Sequence, residues 1–184
     1  MAKREEITNI VISIVLIFIG IFLLIYSHIG NLKAITLLYL VFLIYGLMKI
    51  IEYSFSSDKK DKEDLFTGII SLFGVLSSLF FKDYNGQLLI SITLVTWVGF
   101  MSIIKLIKVD YYHDRNNKMF YINMTSLILF LIIGVLTGIN LFFDNTVQVL
   151  ILGYFFIANG LLNLAEDAIR IIATSENFNI KRKD

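Results

Sequence analysis

Six long apolar stretches, separated by short polar segments, constrain this chain more than any other feature of its sequence. None of them alternates in polarity as a barrel strand would. Each is close to the roughly 20 residues with which an α-helix crosses about 30 Å of hydrocarbon. We therefore predict an all-α integral membrane protein with six transmembrane helices. The predicted spans are Ile7–Ser27, Ala34–Phe55, Leu65–Phe81, Leu88–Lys108, Tyr121–Phe143 and Val147–Asp167.

The composition agrees with a lipid environment and argues against several classes of function. Hydrophobic residues make up 57% of the 184-residue chain and charged residues 17%, too few to cover a water-soluble domain of this size. The net charge of +1 gives no basic field for nucleic acid, so membrane lipids are the expected partners. A protein partner or a homo-oligomer stays open.

The sequence contains few of the residues and motifs that enzymes use for catalysis. The chain has no cysteine and two histidines, and it carries no zinc-protease, nucleophile-elbow or phosphate-loop motif. We therefore expect no enzyme activity, no metal and no cofactor.

The distribution of basic residues predicts the orientation. Fourteen of the sixteen lysines and arginines fall on one side of the predicted spans, and only Lys33 and Lys82 fall on the other. Because basic residues concentrate in cytoplasmic loops, both termini are predicted to be cytoplasmic.

Short connections and recurring glycines indicate three tandem helical hairpins within a single membrane domain, residues 1–184. The hairpins cover about residues 7–55, 65–108 and 121–167, and residues 168–184 form a cytoplasmic helical extension with a basic tail. Each hairpin has one glycine in its first helix and another 25 or 26 residues later: Gly20 and Gly46, Gly74 and Gly99, Gly134 and Gly160. This offset predicts three copies of one unit inserted in the same direction.

Small residues are the expected helix-packing positions, because close backbone approach drives helix association in lipid. The fifth span has a small-xxx-small pair, Gly134 and Gly138, and the third has Gly74 and Ser78. Packing within the molecule and a dimer face are both compatible with this pattern. The predicted packing glycines are Gly20, Gly46, Gly74, Gly99, Gly134, Gly138 and Gly160.

Polar side chains within or beside the spans are candidates for a path across the membrane. These candidates are Glu52, Asn159, Asn163 and Glu166. An ionisable group inside a span is a functional candidate by default. Since Glu52 and Glu166 lie near the predicted cytoplasmic ends, the alternative is that they snorkel to water as interfacial anchors. Asn159 lies near mid-span and is expected to bond a neighbouring helix, and Trp97, also at mid-span, is expected to pack in the core.

The three same-sense hairpins with paired glycines resemble the HdeD family of small six-helix membrane proteins from bacteria and archaea. The resemblance covers about residues 8 to 170. It implies a location in the plasma membrane of a prokaryote and a role in acid or envelope stress, without established catalytic residues. The competing hypothesis is a small transporter or channel with a path between the three hairpins.

Overall fold

The computed structural model describes residues 2–30, 32–55, 62–80, 86–114 and 119–180, and every regular element within those ranges is an α-helix. The predicted all-α class is therefore confirmed. Phe81 at the end of the predicted third span, Lys82 and the last residues of the predicted basic tail (181–184) lie outside the described residues, and nothing is described of the Ser78 side chain. The helices are α1 (Ala2–Ile29), α2 (Ala34–Phe55), α3 (Lys62–Phe80), α4 (Gly86–Asp114), α5 (Met119–Asn140) and α6 (Asn145–Ile180).

Five of the six described helices are long and apolar enough to cross a bilayer: α1, α2, α4, α5 and α6. The exception is α3, which has 19 described residues and begins with Lys62, Glu63 and Asp64. These three charges shorten its apolar run. The structure thus supports five of the six predicted spans by length and composition.

The outer surface of the bundle is apolar. Large side chains such as Phe18, Phe73 and Ile107 are between 66% and 70% exposed. A soluble monomer rarely shows contiguous apolar surface on this scale. This surface is suited to lipid rather than to water.

The helices do not pack primarily within the predicted hairpins. The most extensive contacts join α1 to α6, α2 to α3 and α4 to α5, whereas α1 and α2 touch little. Helices joined within the predicted hairpins do touch, but they are not one another's main partners. Each even helix packs on the next odd one, and α6 closes the ring on α1.

Glycines explain this choice of partners in two of the three pairs. A methyl group at Gly160 would lie 2.8 Å from the Ser13 carbonyl oxygen, which places α6 directly on the α1 backbone. In the same way, a methyl group at Gly46 would lie 3.1 Å from the Gly68 carbonyl oxygen, which joins α2 to α3. At Gly160 the backbone itself would have to shift to admit a methyl group, and at Gly46 the contact is tight enough that the neighbouring helix would have to give by a few tenths of an ångström.

In the third pair, α4 and α5, the glycines pack against valine side chains. Gly134 and Gly138 of α5 lie against Val98 and Val95 of α4, and the Ser91 hydroxyl donates a 2.6 Å hydrogen bond to the Gly138 carbonyl. The small-xxx-small pair of α5 thus packs within the molecule in this structure.

Gly74 and Gly99 differ from the other predicted packing glycines. A methyl group at Gly74 would lie 3.0 Å from the Phe42 ring, so Gly74 meets a side chain rather than a backbone. Gly99 is exposed, and no described atom of a neighbouring helix lies within 4 Å of a methyl group built there. Its assignment as a packing position is wrong, because α4 turns this face outward.

Trp97 is the centre of an aromatic core. It is 3% exposed, stacks on Phe42 with ring centroids 5.0 Å apart, and meets Phe130 and Phe155 edge to face. Its indole N–H donates a 3.0 Å hydrogen bond to the Ser71 hydroxyl. The expected core position of Trp97 is confirmed, and the rings around it fill the middle of the bundle.

Candidate functional site

Polar and charged side chains gather at one end of the bundle, where the odd helices begin and the even helices end. We call this the polar end. A cavity of about 70 Å³ opens there. All six helices contribute residues to its wall, for example Asn9 of α1, Lys49 of α2, Asp64 of α3, Lys105 of α4, Phe130 of α5 and Glu166 of α6.

Lys49 is the centre of the first group of charges. Its ammonium donates hydrogen bonds to Asp64 at 2.7 Å, Glu52 at 2.9 Å and Asn9 at 3.0 Å. Because an ammonium has three N–H donors, Lys49 is fully satisfied. These bonds connect α1, α2 and α3 at the polar end.

Glu166 is the centre of the second group. Its carboxylate accepts a hydrogen bond of 2.5 Å from Lys108, one of 3.2 Å from the Ser126 hydroxyl and one of 3.4 Å from Arg170. The carboxylate side chain is 5% exposed. Burying a charge this deeply is costly unless nearby partners compensate for it, and these three donors do so. The same contacts connect α4, α5 and α6.

Lys105 lies beside Glu166 but is held less closely. Its ammonium reaches Asn163 Oδ1 at 3.3 Å and Glu166 Oε2 at 3.5 Å, and it lies 5.7 Å from the centre of the Phe130 ring. Both hydrogen bonds are at the long limit for a charged donor. Lys105 therefore keeps donor capacity toward the cavity.

Tyr45 and Asn159 line the cavity one to two helical turns further into the bundle than Lys49 and Glu166, and the Tyr45 ring meets Trp97 of the aromatic core edge to face. Asn159 is 3% exposed and Tyr45 is 5% exposed. Within the described part of the chain, neither side chain makes a hydrogen bond to the protein. The expectation that Asn159 bonds a neighbouring helix is therefore wrong, because its amide faces the cavity instead.

The four predicted path residues meet at the polar end. Asn159, Asn163 and Glu166 line the cavity, and Glu52 is bonded to Lys49 on the same wall. Glu52 and Glu166 are 4% and 5% exposed, so the expectation that they snorkel to water as interfacial anchors is wrong. Neighbouring helices cover both carboxylates.

Sequence reasoning missed the lysines of α4. Lys105 follows Gly99 by six residues, as Glu52 follows Gly46 and Glu166 follows Gly160. This shared offset was a usable signal for one inward-facing position on each even helix. Lys108, three residues further along the same helix, could have been found with it.

The site has no arrangement typical of a metal centre. Among the described residues, no group of three histidine, cysteine or acidic side chains converges closely enough to bind a metal ion. Each described carboxylate that lines the cavity lies within 4 Å of a cation instead. The geometry thus favours ion pairing.

Taken together, the apolar surface, the long apolar helices and the enclosed charges define a polytopic helical membrane protein. Comparison of the chain with protein families, with curated proteins and with solved structures finds no match.

Proposed function

We propose that this chain is a non-enzymatic plasma-membrane protein of a prokaryote that contributes to acid or envelope stress tolerance, as its resemblance to the HdeD family implies. The observation that carries the proposal is the buried ion-pair network centred on Lys49 and Glu166 below a filled aromatic core. Charges that bond to one another across helices stabilise a closed bundle. A closed bundle is suited to the membrane itself or to a partner within it, rather than to chemistry on a substrate.

The proposed topology has six spans with both termini in the cytoplasm. Although α3 is short, its Gly68 lies against the α2 backbone at Gly46, which supports a position beside α2 in the same layer. Contacts from Asn9 to Lys49 and from Lys108 to Glu63 bring the start of α1, the start of α3 and the ends of α2 and α4 together. Among the described side chains, Lys49, Lys105, Lys108 and Arg170 lie at this end, and the positive-inside rule favours the cytoplasm for it.

The second candidate is a small transporter or channel, and the cavity favours it. Asn159, Asn163 and Glu166 would line the inner half of a path that begins at the polar end. Trp97 and the rings around it fill the middle of the bundle, so conduction would require those rings to move. The structure therefore corresponds to a closed state under this hypothesis.

Survival and flux measurements distinguish the two candidates. For stress tolerance, deletion of the gene should lower survival at acid pH, and a plasmid copy should restore it. The stress proposal is wrong if the deletion strain survives acid and envelope stress as the parent does. For transport, the purified protein in proteoliposomes should give saturable flux of a small ion above that of empty vesicles, and its absence would count against the second candidate.

A further inference from the structure

We propose that the inner end of the cavity binds one small monovalent anion, a halide or a one-carbon carboxylate such as formate, between Lys105, Asn159 and Tyr45. This site goes beyond the proposed role in stress tolerance and does not depend on it.

The first argument is the hydrogen-bonding capacity of the inner wall. Asn159 and Tyr45 are both more than nine-tenths buried, line the cavity, and make no hydrogen bond to any described residue. Their polar atoms open onto the cavity, so a small ligand or an ordered water can bond them there. The amide nitrogen and the hydroxyl both supply donors.

The second argument is the charge of Lys105. Its two protein acceptors lie at 3.3 and 3.5 Å, while the Glu166 carboxylate has its closest contact with Lys108. The Lys105 side chain is 13% exposed, and the Phe130 ring covers one side of it. An ammonium that is buried and loosely held attracts an anion, because the low dielectric around it strengthens the interaction.

The other charges around the cavity do not compete for the inner end. Lys49 uses its three donors on Asn9, Glu52 and Asp64. The remaining acids each lie within 4 Å of a cation: Glu63 with Lys108, and Asp167 with Arg170. On α6, Asn159 precedes Glu166 by seven residues, about 10 Å along the helix, so the acids lie nearer the mouth.

The size of the cavity limits the ligand. A water molecule needs about 10–15 Å³ of such volume, so about 70 Å³ holds several waters or one small solute. Lys105 has one ammonium donor left over, which suits a single monovalent anion. Chloride and formate meet both conditions, whereas gluconate is too large.

The fluorescence of Trp97 can report anion binding. It is the one tryptophan of the chain, and it contacts Tyr45 and Phe130 of the cavity wall. The purified full chain in detergent is titrated with sodium chloride or sodium formate, with sodium gluconate holding ionic strength constant. We expect a saturable change in Trp97 emission with a millimolar midpoint, together with a rise in unfolding temperature.

Variants test which groups form the site. Lys105→Met should weaken binding about tenfold or more, because it removes a charged donor. Lys33→Met, at the exposed opposite end, should bind as the wild type does. Lys105→Arg keeps the charge and should retain measurable binding, and Asn159→Asp should abolish binding by repulsion while keeping the side-chain size.

Three results would contradict the site. The first is that Trp97 emission shows no saturable response to chloride or formate, and the second is that it changes with the cation instead of the anion. The third is equal anion affinity in the wild type and in a folded Lys105→Met protein. If Lys105→Met does not fold, Asn159→Asp decides: undiminished affinity in that variant contradicts the proposal.

Discussion

A methyl group added to Gly20 of α1 would lie 2.7 Å from the carbonyl oxygen of Gly153 on α6. The relationship is reciprocal, since a methyl group on Gly153 would lie 3.0 Å from the carbonyl oxygen of Gly20. The two backbones therefore touch where the chain closes its ring of helices. In lipid, such close packing replaces the hydrophobic effect as the main attraction between helices.

Gly20→Ala should destabilise the bundle, because the new methyl group would meet backbone atoms that cannot rotate away. We expect a loss of about 1–3 kcal/mol in the free energy of unfolding, measured by denaturant titration in micelles. Gly99→Ala is the matched control. Its methyl group meets no described neighbour, and alanine favours the helix by up to about 1 kcal/mol, so stability should hold or rise. Equal losses in both variants would contradict the packing scheme.

Glu166→Gln should weaken the polar end, because Lys108 and Arg170 would lose their shared carboxylate. Breaking a buried pair costs about 3–5 kcal/mol, and partial exposure of both cations should reduce this to about 2–3 kcal/mol. Thermal unfolding in detergent measures the change. Asp110→Asn, an exposed acid on the same end of α4, should leave the unfolding temperature nearly unchanged. A Glu166→Gln protein as stable as wild type would show that the network does not hold the helices.

Trp97→Ala should open a cavity in the aromatic core. Loss of a buried tryptophan side chain costs about 3–5 kcal/mol, measured as a lower midpoint of unfolding. Phe100→Ala, one turn further along α4 and 48% exposed, removes a ring that faces outward and should cost much less. If the two substitutions lower the midpoint of unfolding equally, Trp97 is not the centre of the core.

Single cysteines should report the orientation, since the chain has none of its own. Lys33→Cys is expected to react with a membrane-impermeant maleimide in intact cells, because Lys33 is exposed at the end opposite the polar end. Asp110→Cys should react only after the membrane is opened. The reverse pattern would place the termini outside and overturn the proposed topology.

Within the fold, the apolar runs located the helices well but placed some of their ends wrongly. The fourth span was predicted to end at Lys108, whereas the helix α4 continues to Asp114. Hydropathy follows the lipid boundary, whereas a helix can extend beyond it into water. The predicted fifth span was too long for the converse reason: α5 ends at Asn140, although apolar residues continue to Phe143.

For the site, the sequence singled out Glu52 and Glu166 but did not show that both would be buried. Burial depends on which helices lie beside each carboxylate. The Glu166 carboxylate is covered by α4 and α5, which meet it only after the ring closes.

The sequence alone determined the helical class and the approximate position of each helix, because 57% hydrophobic residues in runs of about twenty favour helices in lipid. Tertiary structure alone decided the partners: α6 on α1, Lys108 on Glu166, and a cavity faced by Lys105 and Asn159. Lipid solvates an apolar helix equally well whichever helices lie beside it. The choice among neighbours therefore depends on where glycines let backbones touch and where buried charges find partners, and neither is visible until the helices are placed in space.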